Sequence, residues 1–241
     1  MAMTATPHPE AGYISLRFDD ASGMTGILRA DVNGNRLVRL HSTELPASGV
    51  LTVLDWEAAL SGPVYYRLYS AIGEVWTSLD AVEPRFILPH RPYVSSVPDM
   101  ITNYSASRAS TATFHKVIDR PDPVVLEGAL GLRRGSLEAW FPDYMGARDL
   151  EDLLNTGNVV MFRQAEHPGQ DMYFRAENTS ISPDEDGWKL ALDYLESPFP
   201  TGYVLPSKSW SFNRLAIDEP NFAAVRDGYA SFHALGNAEA L

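Results

Sequence analysis

From Tyr13 to His90 the chain alternates apolar and polar residues in short runs: YISLRF, GILRADV, RLVRLH, GVLTVLDW, VYYRLYSA, EVWTSLDAV and RFILPH. A period of two sends successive side chains to opposite faces of a strand, and the β-branched and aromatic content suits a half-buried sheet. With turn signals roughly every 8–12 residues, these runs predict an antiparallel sandwich of about seven strands over residues 12–90. Asn33-Gly34 predicts a hairpin turn. Gly62-Pro63 predicts another, after which Tyr65, Arg67 and Tyr69 fall on one face and Tyr66 and Leu68 on the other. Residues 1–11 are polar with two prolines and read as a flexible N-terminal arm.

A cluster of prolines, Pro84, Pro89, Pro92 and Pro98, interrupts this pattern. Proline density favours a stiff extended segment, so residues 91–100 read as a linker between two domains. Beyond it, over residues 101–200, DPVVLEGAL and RGSLEAWF predict strands, and GARDLEDLLNTGN predicts the one clear helix, near 147–155. Leu150, Leu153 and Leu154 share a face there, Arg148 and Asp152 are spaced to pair, and Asn155 and Gly157 supply a stop. VVMFRQ, DMYFRAENTSI and WKLALDYLE follow as strands. The order predicts an antiparallel sheet with one helix covering an end or edge, as a sandwich or a partly open barrel.

The chain ends differently. In SWSFNRLAIDEPNFAAVRDGYASFHAL, Phe212, Phe222 and Phe232 recur at ten-residue spacing, with Leu215, Val225 and Leu235 three places after each. Ser211, Asn221 and Ser231 precede the phenylalanines as helix caps. Each unit predicts one helical turn with an aromatic and an aliphatic residue on one side. A lone turn is unstable because nucleation outweighs one hydrogen bond, so its apolar side must lie on something larger. Two readings stay open for residues 201–241: straps on the second domain, or a C-terminal docking arm for neighbouring subunits. For the arm, the interface residues are Trp210, Phe212, Leu215, Phe222, Val225, Tyr229, Phe232 and Leu235, and Pro-rich SPFPTGYVLPSKS is the tether.

Composition narrows the chemistry. A formal net charge of −12 argues against sequence-specific nucleic acid as a partner, because counterion release needs clustered Lys and Arg. With 0 cysteines there is no disulfide or zinc-thiolate site, and six scattered histidines show no metal-ligand spacing. The N-terminus lacks a basic and an apolar region, so no signal peptide is expected, nor any membrane insertion. SPDEDGW starts like a calcium loop but lacks its closing Glu, and reads as a solvated hairpin tip. Asp55 and Glu57 lie two apart on one strand face, a spacing open to acid–base work. A strand end entering a turn is the simpler account. No other catalytic motif is present, so the expectation is no enzyme and no cofactor. Trp76, Trp140, Trp188 and Trp210 are expected in the core, or, if exposed, as a sugar-stacking platform.

Taken together, GALGLRRGSLEAWF, ARDLEDLLNTGNVVMFRQ, MYFRAENTSI and GWKLALDYLE resemble the minor tail proteins of long-tailed, siphovirus-type actinobacterial phages, a group related to distal tail proteins. The shared pattern is a strand with R-x-G-x-L, a helix ending LL-x-x-G, then V-x-x-R and two further strands. The C-terminal arm is similar to the aromatic arms of that group. VLDWEAALSGPVYYRLYSA looks like its N-terminal domains, with Ala59 where proline is usual. In pattern the first domain is fibronectin- or Ig-like. The resemblance implies a structural virion protein of the tail tip, made in the host cytoplasm and assembled between tail tube and baseplate or fibres. Implied partners are tail tube, tape measure and baseplate or fibre proteins, and copies of itself in a ring. Host-surface glycan is a further possible partner, as for a carbohydrate-binding or receptor-recognition module.

Overall fold

The computed structural model describes residues 3–20, 25–40, 50–68, 73–81, 83–116, 118, 121–122, 124–202 and 204. These residues are mainly β, in several antiparallel sheets with one α-helix. They divide into two compact units. Unit 1 holds residues 1–79 and 87–94 and the described residues from Thr201, and unit 2 holds residues 80–86 and 95–200.

Unit 1 opens with β1 (Met3–His8), β2 (Tyr13–Phe18), β3 (Ile27–Asp31) and β4 (Gly34–Leu37), then β5 (Leu51–Asp55), β6 (Pro63–Leu68) and β7 (Glu74–Ser78). They form a three-stranded sheet, β1-β2-β5, and a four-stranded sheet, β4-β3-β6-β7. Alternation decides the inner faces. Ile14, Leu16 and Phe18 of β2 and Val53 of β5 are buried, as are Ile27 of β3 and Val64, Tyr66 and Leu68 of β6. Burying each large apolar side chain contributes roughly 1.5–3 kcal/mol.

Three expectations change in unit 1. The residues read as a flexible arm form β1, antiparallel to β2 from Met3↔Phe18 to His8↔Tyr13. Its proline is tolerated because β1 is an edge strand. Gly12, at φ 75, closes the turn by donating to the His8 carbonyl at 2.8 Å. The β3–β4 hairpin is present but turns through Val32-Asn33, one residue earlier than expected, with Asp31 opposite Gly34. The Asp31 carboxylate accepts the Asn33 N–H at 2.9 Å, which fixes the turn at that place. The Gly62-Pro63 turn stands where expected, with Gly62 at φ 82. RFILPH, expected as a sandwich strand, contributes β8 (Arg85–Leu88) to another sheet.

That sheet contains β9 (Arg91–Ser96), β10 (Met100–Thr102) and β11 (Ser107–Ser110). The expected Pro-rich linker is therefore largely strand: Pro89 and His90 make the turn between β8 and β9, and a unit boundary falls inside β9. Next come a small separate hairpin, β12 (Thr113–His115) with β13 (Val124–Leu126), and the long β14 (Leu130–Phe141). The helix α1 (Tyr144–Leu154) precedes β15 (Val160–Arg163), β16 (Met172–Asp184) and β17 (Gly187–Glu196). The sheet order is β10-β14-β17-β16-β15-β8-β9, with β11 also on β14.

The helix begins at Tyr144, three residues before the expected start, because Asp143 caps it by accepting the Gly146 N–H at 2.8 Å. Ala147, Leu150, Leu153 and Leu154 are its buried stripe, and the Arg148–Asp152 pair forms at 3.9 Å. α1 packs on β14, β17 and β16, which lie inside the sheet order, so it does not cover an edge. Leu137, Phe162, Phe174 and Leu190 of this sheet are buried, with Phe86 stacked on Phe162 at 5.0 Å.

Candidate functional site

The eight residues of the docking arm, Trp210, Phe212, Leu215, Phe222, Val225, Tyr229, Phe232 and Leu235, lie outside the described residues. Three other places in the chain concentrate chemistry.

The first is the Asp55–Glu57 pair. Both carboxylates are buried in unit 1. Asp55, at the end of β5, accepts Arg29 Nη1 at 2.8 and 3.0 Å, the Tyr66 hydroxyl at 2.8 Å and the Glu57 N–H at 3.0 Å. Arg29 also reaches Asp31 at 3.0 Å, and Asp31 accepts the Ala59 N–H at 3.1 Å. Glu57 is held by the Arg39 fork, Nε at 3.0 Å and Nη2 at 2.7 Å, and Arg39 donates onward to the Pro89 carbonyl. Burial first, and then the Asp55 charge, pushes the Tyr66 phenol well above its ordinary range, so it stays a donor. This network occupies both carboxylates with internal partners and ties β3, β5 and β6 together. Its geometry is that of a buried ionic core.

The second lies on the outer face of the four-stranded sheet. In β6, Tyr65 and Arg67 point out while Val64, Tyr66 and Leu68 point in, as the alternation predicts. Register then brings distant residues together: Tyr65 lies opposite Trp76, Arg67 opposite Glu74, and Ala30 is flanked by Tyr65 and Asn35. These, together with Leu28, line a shallow cavity of about 360 Å³. Trp76 is 68% exposed and Tyr65 55%, a large aromatic area left in water. Arg67 and Glu74 stand 3.6 Å apart, too long for a direct hydrogen bond. Trp56, Trp140 and Trp188 are half-buried, and Trp210 lies outside the described residues.

The third is the Arg133 junction in unit 2. Arg133 Nε donates to Glu196 at 3.0 Å, its backbone N–H to the same carboxylate at 2.7 Å, and Nη2 to the Asp171 carbonyl at 3.0 Å. Burial raises the Glu196 carboxyl, but hydrogen bonds and charge from Arg133 outweigh it and hold the group below its ordinary value. Arg134 pairs separately with Glu177 at 2.8 Å. The junction fastens β14, β17 and the loop before β16 to one another. At the opposite end of β17, SPDEDGW is the tip of the β16–β17 hairpin, closed by Asp184 opposite Gly187. Among the described residues no group of three or more His, Asp or Glu is placed to hold a metal ion. Nor is any of their helices long and apolar enough to cross a membrane.

Sequence reasoning found Tyr65, Arg67 and Trp76 separately but missed their convergence with Asn35 and Glu74. Strand alternation gave their faces, and only the β3–β6–β7 register gives their adjacency. No protein-family model matches the chain, and no curated protein matches it.

Proposed function

We propose that this chain is a structural virion protein of a phage tail tip, assembling with neighbouring subunits between tail tube and baseplate or fibres. One observation carries the reading. The sequence features that resemble minor tail proteins fall, in order, on β14, α1, β15, β16 and β17 of unit 2. Each has a structural task. A Cβ on Gly135 of the R-x-G-x-L segment would lie 2.0 Å from the Ser105 carbonyl oxygen, and Leu137 is buried. Leu153 and Leu154 anchor the helix, Gly157 turns at φ 68, and Arg163 is fully buried.

In this reading unit 1 is a fibronectin- or Ig-like sandwich and unit 2 a distal-tail-like β domain. Residues 201–241 form an arm of short helical turns that docks on adjacent tail-tip subunits or on copies of the chain in a ring. The work is assembly, with no catalytic step. The exposed apolar residues Phe114, Ile118, Leu126 and Leu130, on and beside the β12–β13 hairpin, suit burial against a neighbour. A second reading, a receptor-recognition module for host-surface glycan, is favoured by the exposed Tyr65–Trp76 face alone.

Gold-labelled antibody against residues 209–235, applied to purified particles and to detergent-loosened tails, tests the proposal. Label at the tail tip, gained on loosening, is the expected result. Absence of the protein from particles ends the reading. A chain truncated at Leu205 is expected to fold but not to enter particles, and normal incorporation would remove the arm's role.

A further inference from the structure

We propose that the outer face of the four-stranded sheet in unit 1 binds a saccharide, with Trp76 and Tyr65 as the stacking surface and Asn35, Arg67 and Glu74 reading its hydroxyls. The chemistry of the lining selects the class of ligand. An aromatic ring presents a negative face, which attracts the weakly positive C–H groups on one side of a pyranose ring. Two such rings stand at directly opposite positions on β6 and β7, within reach of one extended ligand. Arg67 offers only donors, Glu74 only acceptors and Asn35 both. A ligand that satisfies all three at once presents paired donors and acceptors at short intervals, as vicinal hydroxyls do. Arg67 and Glu74 form an ion pair at 3.6 Å with both side chains largely exposed, so their remaining donors and acceptors face such a ligand.

Other occupants fit less well. A protein partner buries a patch whose centre is depleted of charge, whereas here an exposed ion pair sits beside the rings. Nucleic acid is opposed by the net charge of −12. The cavity volume of about 360 Å³ is at the small end of the ligand-site range, suited to a short oligosaccharide. The inference stands on this face alone. Saccharide binding by the isolated chain tests it, and particle incorporation tests the tail-tip reading, so one can fail without the other.

The experiment is saturation-transfer NMR on the intact chain. The probes are the methyl glycosides of glucose, galactose, mannose and N-acetylglucosamine, with their β- and α-linked trisaccharides. Transfer to the C–H protons of one ring face is expected for at least one probe. In calorimetry with that probe, Trp76→Ala and Tyr65→Ala should each bind about tenfold more weakly, and Trp76→Phe should retain most affinity. Because both side chains are exposed, thermal melts of the variants should match the parent. The proposal is overturned if no probe binds, or if Trp76→Ala binds as tightly as the parent. It is overturned equally if a synthetic 209–235 peptide binds this face in a Trp76-dependent way while every saccharide fails.

Discussion

Asp55 shows how far a single side chain reaches in this molecule. It accepts from Arg29, from the Tyr66 hydroxyl and from the backbone of Glu57, all out of water. Asp55→Ala should leave Arg29 and Tyr66 short of a buried acceptor and cost about 3–5 kcal/mol in urea unfolding. Asp55→Asn, which keeps an acceptor, should cost less. Glu196 makes a pH-dependent counterpart. Its folded pKa is depressed, so its contribution is complete above its ordinary value of 4.5 and is lost as pH falls through the lower folded value. The stability difference between the parent and Glu196→Gln, large at pH 7, should therefore shrink below about pH 4.5 and vanish in stronger acid. The spacing of Asp55 and Glu57 was legible in the sequence, but their arginines were not. Arg29 and Arg39 lie 26 and 18 residues back and arrive through strand topology, which no local pattern encodes.

At the scale of elements, local signals worked where one residue type decides the outcome. Leu150, Leu153 and Leu154 gave the helix face, and the alternation of VYYRL gave the two faces of β6. They failed where a neighbour supplies what the sequence seems to lack. Residues 3–8 look too polar and proline-bearing for a strand, yet β2 provides a pairing partner one turn away. The prolines at 89 and 92 read as a linker, yet they sit at the turn and start of a hairpin. Two changes probe this level. Asp143→Ala should remove the helix cap and cost about 1 kcal/mol. Gly135→Ala should cost more, because the backbone of Ser105 cannot give way as a side chain tip would. Thermal melts of the two variants check the order.

At the scale of the whole molecule, the two units predict separable stability. In hydrogen exchange, Asp55→Ala should release amides of β2, β5 and β6 while β14, β16 and β17 keep their protection. Parallel loss across both units would show instead that they open as one. The chain path adds a consequence of another kind. Val204 is largely buried and donates to the Leu40 carbonyl at 3.1 Å, closing unit 1 with a residue made about 160 positions later. On a ribosome adding roughly 5–20 residues per second, that closure waits roughly 8–30 seconds after Leu40 emerges. Unit 2, made of residues 80–86 and 95–200, is complete slightly sooner. Vectorial synthesis thus completes unit 2 shortly before the N-terminal strands of unit 1 gain the residue that closes them.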